Sequence, residues 1–219
     1  MSDVAETPTD PAPPEPGGTA GTPDAPRGGL PWGRFLAVML LVGLDLWSKS
    51  AVFTWLSSDG QPGLPEGAER WELSGHIRYE VWGDFLSFVL SENKGAAWGV
   101  GDQYPYLLVG GRILAVLVIG WLLWRTPRRP RIGLWALVLV EAGALGNLYD
   151  NLTRTPPEGH PFGAVRDFIH VYFAQWEYHF PTFNVADSCI TCGAILLILS
   201  GFLPAPKSAA PESPEPAAS

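Results

Sequence analysis

Four long apolar stretches, separated by polar and glycine- or proline-rich sequence, set the pattern of this chain: 35–56, 106–124, 132–152 and 184–203. Each is close to the roughly 20 residues an α-helix needs to cross a bilayer. The second, YLLVGGRILAVLVIGWLLW, and the fourth have no polar face at the helical period, which a soluble bundle would require. In the connection between the first and second, the alternating runs HIRYEVW and FLSFVL predict short strands. The pattern therefore predicts a mainly α membrane protein: four transmembrane helices and a small extracytoplasmic β-sheet, a cradle resting on the membrane face. No internal repeat is visible.

Outside these stretches the composition changes. Residues 1–30 and 205–219 are rich in Pro, Ala, Gly, Thr and acids, cannot bury a core, and are expected to be disordered tails around a folded unit of 31–204. No basic segment leads into a short apolar core with an A-x-A site, so no cleaved signal peptide is expected. The run RTPRRPR at 125–131 carries four arginines in seven residues, and Arg27 and Arg34 precede the first span. Such charge marks the cytoplasmic side, which puts both termini inside and the loops 57–105 and 153–183 outside.

Overall composition narrows the function. The chain is 47% hydrophobic and 16% charged and has ten tryptophans, which suits the bilayer interface. Its net charge of −8 comes with no basic patch, so nucleic acid is not an expected partner. Cys189 and Cys192 form a CxxC inside an apolar span with no second cysteine pair, and packing is the expected role. His76, His160, His170 and His179 fall at no ligand spacing and in no HExxH, and are read as loop or interface residues. No metal or cofactor is expected. Asn151-Leu-Thr153 fits a glycosylation triplet and is read as chance.

The polar residues inside the spans carry the chemistry, because intramembrane acids are costly to keep. Threading the four spans gathers most of them at the outer end. Asn147 and Asp150 end the third span on one face, and Asn184 and Asp187 open the fourth at the same spacing. Asp167 falls in the loop between them, Asn93 and Gly95 precede the second span, and Lys49 lies about 6 Å nearer the outer face than Asp45. Two residues stay apart: Glu141, which has no assignment, and Arg112, expected to snorkel to the headgroups. A close pair of carboxylates shares one proton, so one member accepts a proton from water while the other donates to a carbonyl oxygen, as in aspartic proteases. The titration belongs to the pair. If Asn184 caps the fourth helix, Asp187 falls in its first turn and is the charged partner.

Five ordered motifs then carry a resemblance: DLWSK at 45–49, NKGAAWG at 93–99, GALGNLYD at 143–150, VRDFI at 165–169 and FNVAD at 183–187. From 35 to 203 the chain resembles the lipoprotein signal peptidases (signal peptidase II), four-span aspartic proteases of the bacterial inner membrane. The resemblance implies Asp167 and Asp187 as catalytic dyad. It also implies Asn93, Gly95, Asn147 and Asn184 around substrate and dyad, Asp45 and Lys49 as a supporting pair, and Asp150 as a structural acid. Asp150 is also the rival for the catalytic role; Asp167 is preferred because a loop residue can swing over the site. The implied substrates are prolipoproteins, cut before a diacylglyceryl-modified cysteine by a monomer in contact with membrane lipids.

The chain departs from the family where Asn151 replaces the usual arginine, and Arg154, one turn on, is expected to supply that charge. Glu92 and Trp98 are further departures. Three other functions are weighed. A proton or ion transporter would want paired repeats and broken helices. A presenilin-type protease has its YD and GxGD motifs in the opposite order from 149–150 and 99–102 here. A non-catalytic scaffold of the same fold draws its support from Asn151.

Overall fold

The structure, a computed structural model, describes residues 32–57, 66–70, 76–95, 101–126 and 132–202. The expected tails, most of the arginine-rich run and Trp98 lie outside the described residues. Within them, the four apolar stretches are helices: α1 (Trp32–Ser57), α2 (Pro105–Arg125), α3 (Ile132–Thr153) and α4 (Val185–Phe202). All four are long and apolar enough to cross a membrane. In lipid a helix satisfies its own backbone, so an uninterrupted apolar run of this length has little alternative.

The helices differ in how they are used. α3 is central: it buries twelve residues and packs against α1, α2 and α4. α2 buries only Val109 and Leu123, leaving its remaining apolar surface for lipid. On α1 the buried positions Arg34, Val38, Asp45, Lys49, Val52 and Leu56 recur at helical spacing. Leu36, Leu40, Leu44 and Trp47 form the exposed stripe on the other side. Small residues let α3 and α4 approach. A Cβ on Gly193 would meet Val140 Cγ2 at 2.6 Å and the Ala136 carbonyl at 2.8 Å; one on Gly146 would meet Asp45 Oδ2 at 2.5 Å.

Five strands form one antiparallel sheet in sequential order: β1 (Ala68–Arg70), β2 (Ile77–Trp82), β3 (Leu86–Asn93), β4 (Val165–Phe173) and β5 (Tyr178–His179). The two expected strands are β2 and β3. The additions are β1, β5 and β4, and β4 corrects the placement of Asp167: it lies on a strand, not in a loop. Glu92 pairs with Arg166 and Ser91 with Asp167 across β3 and β4, after a bulge that begins beyond Phe88. On the other edge Ile169 and Phe183 exchange backbone hydrogen bonds of 2.8 and 3.0 Å. Those bonds tie β4 to the residues that enter α4. Successive side chains point to opposite faces, so Phe168 joins Val52 and Leu56 in an apolar core under the sheet while Asp167 looks the other way. A second core of Val38, Leu123, Leu134, Val138 and Ala142 fills the opposite end of the bundle.

Candidate active site

α4 begins with a reciprocal cap. Asn184 Oδ1 accepts the Asp187 N–H at 2.9 Å, and the Asn184 N–H donates to Asp187 Oδ2 at 3.2 Å. This is a capping box with a carboxylate at its third position, held on the positive end of the helix dipole. The Asn184 amide also donates to Asp167 Oδ1 at 2.6 Å, so one asparagine touches both aspartates. Asn147, from α3, donates to Asp187 Oδ1 at 2.7 Å and accepts from Asn184 at 3.2 Å and from Lys49 Nζ at 2.9 Å. Asn93, at the end of β3, donates to Asp167 Oδ2 at 3.0 Å and accepts the Gly95 N–H at 2.9 Å.

Behind this layer lies a buried ionic network. Lys49 sits 2.7 Å from Asp45 and 3.6 Å from Asp150, with all three side chains essentially inaccessible. The other Asp45 oxygen accepts the Ala186 N–H at 2.8 Å, one of the unpaired donors of the α4 N-terminus. Arg166 engages Asp150 with Nη2 at 2.7 Å, Nε at 3.3 Å and its backbone N–H at 3.0 Å. Asp150 is thereby occupied as a support for β4. Asp45, Lys49, Asn93, Gly95, Asn147, Asp150, Asp167, Asn184 and Asp187 thus form one connected assembly.

Asp167 and Asp187 both line a cavity of about 620 Å³, together with Asn93, Asn147, Arg112 and the apolar Leu108, Phe180 and Ile190. Burial, followed by the neighbouring Asp187 charge, pushes Asp167 up to about 7, against the hydrogen bonds of Asn93 and Asn184. The site therefore places a carboxyl group raised toward neutrality beside a second carboxyl group at a helix N-terminus.

Three expectations change. Arg112 does not snorkel away: its guanidinium turns inward, donating to the Asn151 amide oxygen and, at 3.4 Å, to the Gly95 carbonyl. Arg154 does not supply charge to the site, because it pairs with Glu92 at 2.8 Å and stacks over Phe53. The histidines are not all loop residues: His170 is buried on β4, stacked on His179 with its Nε2 3.2 Å from His179 Nδ1. Burial, then His179 and Arg78, hold His170 down at about 4, so it is a neutral packing residue. Asn151 is buried, its amide donating to the Gly163 carbonyl at 2.7 Å, so the glycosylation triplet is inaccessible. Cys189 and Cys192 are free thiols. Among the described residues no cluster of three or more His, Cys, Asp or Glu side chains is arranged to hold a metal ion.

Comparison with known proteins finds relatives over most of the chain. A lipoprotein signal peptidase from Acinetobacter baylyi is 35% identical over 170 residues, covering 75% of this chain and 78% of that protein. Its counterpart from Deinococcus radiodurans is 33% identical over 202 residues, covering 87% and 91%. Two solved structures described as bacterial membrane enzymes share the fold. Their TM-scores are 0.58 and 0.55, each at 25% identity, covering 77% and 78% of this chain and 87% and 93% of theirs. The family model of signal peptidase (SPase) II matches residues 37–203. This chain, a multi-pass bacterial membrane protein and a protease, belongs to the signal peptidase II family.

Proposed function

We propose that the protein is an aspartic endopeptidase that removes signal peptides from lipid-modified prolipoproteins, cutting before the diacylglyceryl-cysteine, with Asp167 and Asp187 as its catalytic dyad. The observation that carries this reading is one cavity lined by both aspartates, which the buried Asn184 bridges from behind. Asp187, fixed by Asn147 and by the α4 N-terminus, accepts a proton from the attacking water. Asp167 holds the neutral form near pH 7 and donates to the scissile carbonyl oxygen. A tetrahedral intermediate forms and collapses, the amine of the lipid-bearing cysteine leaves with a proton, and the dyad returns to one shared hydrogen.

Asn184 orients the dyad from behind the cavity, while Asn93 and Asn147, which line it, also face an extended peptide whose backbone groups need partners once water is excluded. The apolar wall of Leu108, Phe180 and Ile190 accommodates the substrate's lipid-embedded part. We assign both termini to the cytoplasm and the site to the outer leaflet, on the strength of the arginines at 125–131. The enzyme works as a monomer, since α1, α3, α4 and β3–β4 of one chain furnish the whole assembly.

Cleavage of a purified lipidated prolipoprotein in detergent tests the reading. Asp167→Asn and Asp187→Asn each lower the rate by about 10²- to 10⁴-fold. Wild-type rates in both variants would refute the dyad.

A further inference from the structure

α2 is apolar from Pro105 to Trp124 except at Arg112. A guanidinium in a lipid-facing helix is costly and is kept where it has partners in the protein. Here the partners are specific: the Asn151 amide oxygen on α3 and the Gly95 carbonyl beyond β3. Each leads on to the site. Gly95 donates to Asn93, and Asn93 donates to Asp167. Asn151 exchanges hydrogen bonds of 2.7 and 3.0 Å with Gly163, two residues before β4 begins. Arg112 therefore grips both segments that set the position of Asp167, and it lines the same cavity.

The other charged groups around the pair are already engaged. Lys49 from α1 is shared among Asp45, Asp150 and Asn147. Arg166 on β4 is held by Asp150 of α3, and Arg154 by Glu92. The sequence motif that usually places an arginine at the position of Asn151 has lost it here, yet a guanidinium still arrives at that residue, from α2 rather than α3.

We propose that Arg112 is the positioning residue of the Asp167–Asp187 pair, clamping the Asn93–Gly95 turn and the Asn151–Gly163 connection while facing the dyad with the one cation α2 brings to it. The proposal rests on the dyad reading above.

The test is the pH dependence of kcat and KM for prolipoprotein cleavage by the full chain. Arg112→Gln lowers kcat by about 10²-fold with little change in KM, as a displaced dyad residue would. Its acidic limb moves up by about one pH unit, because a carboxylate that loses a nearby cation is harder to ionise. Arg112→Lys keeps the limb but recovers only part of the rate, since a shorter, non-planar ammonium lacks the fixed fork that spans the Asn151 and Gly95 oxygens. The exchange Arg112→Asn with Asn151→Arg restores both, because the two side chains are in contact. Should Arg112→Gln fail to fold, the lysine variant and the exchange carry the test. An unmoved limb in Arg112→Gln, a wild-type rate in Arg112→Lys, or an exchange as slow as Arg112→Gln overturns the proposal. If Asp167→Asn and Asp187→Asn also cleave normally, the dyad reading itself has failed; if they are inactive, only the role of Arg112 has.

Discussion

The two ends of the helix bundle solve the same problem in opposite ways. At the sheet end, Asp45, Lys49, Asp150, Arg166, Asp167, Asp187 and Arg112 crowd together, each with named partners. At the far end, Val38, Leu123, Leu134, Val138 and Ala142 pack without charge. The cation there, Arg34, reaches the Leu123 and Thr126 carbonyls that close α2, at 2.7 and 2.6 Å. Between the ends, Glu141 is buried with its Oε2 lacking a hydrogen-bond partner. A buried charge is tolerated where its lone pairs and protons are filled, and the sheet end meets that condition with donors from the α4 N-terminus and from β4.

The sharpest way to break this contrast is to remove the ion shared by three groups. Lys49→Met leaves Asp45 and Asp150 buried without it, and thermal unfolding in detergent should show a loss of about 3–5 kcal/mol; an unchanged melting temperature would mean the network is inessential to the fold. Next comes pH. Asp167 sits at about 7 in the folded state against 3.8 for an ordinary aspartate. The folded protein therefore keeps a proton that the unfolded chain releases, so stability falls as pH rises from about 4 to 7 and levels off above. The slope reaches at most about 1.4 kcal/mol per pH unit. Asp167→Asn should flatten that part of the stability curve, and an equal slope in the variant would exclude this carboxyl as its source.

Two alanines sharpen the comparison further. Gly146→Ala and Gly193→Ala both overpack the contacts of α3 and α4, at about 1–3 kcal/mol each. Only the first presses on Asp45, so only the first should also slow cleavage; equal activities would show that Asp45 transmits nothing to the dyad. The smallest effect is expected at Glu141→Met, which removes an unsatisfied polar group and should be neutral or stabilising by about 1 kcal/mol with cleavage intact. A large loss of stability there would reveal a partner for Glu141.

The helices were legible because lipid imposes length and apolarity on any span, so their boundaries follow closely from 35–56, 106–124, 132–152 and 184–203. The Asp45–Lys49 pair and the Asn184–Asp187 cap were legible too, being local and fixed by helical spacing. The strand that carries Asp167 is hidden in the sequence because VRDFIHVYF has polar side chains on both faces. One face meets a polar cavity and the other meets α1, so no apolar–polar alternation survives to announce a strand. The inward turn of Arg112 is hidden for a different reason. Which way an isolated arginine turns on an apolar helix is decided by acceptors distant in sequence, here Gly95 and Asn151. The missing arginine at 151 is the available signal, but along the sequence its nearest substitute is Arg154, just past the end of the same helix, and only the fold brings α2 to Asn151.

The cap that starts α4 has a practical consequence for anyone wishing to trap a bound prolipoprotein. Asp187 holds up the helix as well as lining the cavity, so in the proposed dyad a substitution there would also loosen the wall that the substrate leans on. Asp167 belongs to a strand secured on both edges by backbone bonds. Its asparagine variant is the better bait for capturing an uncut complex.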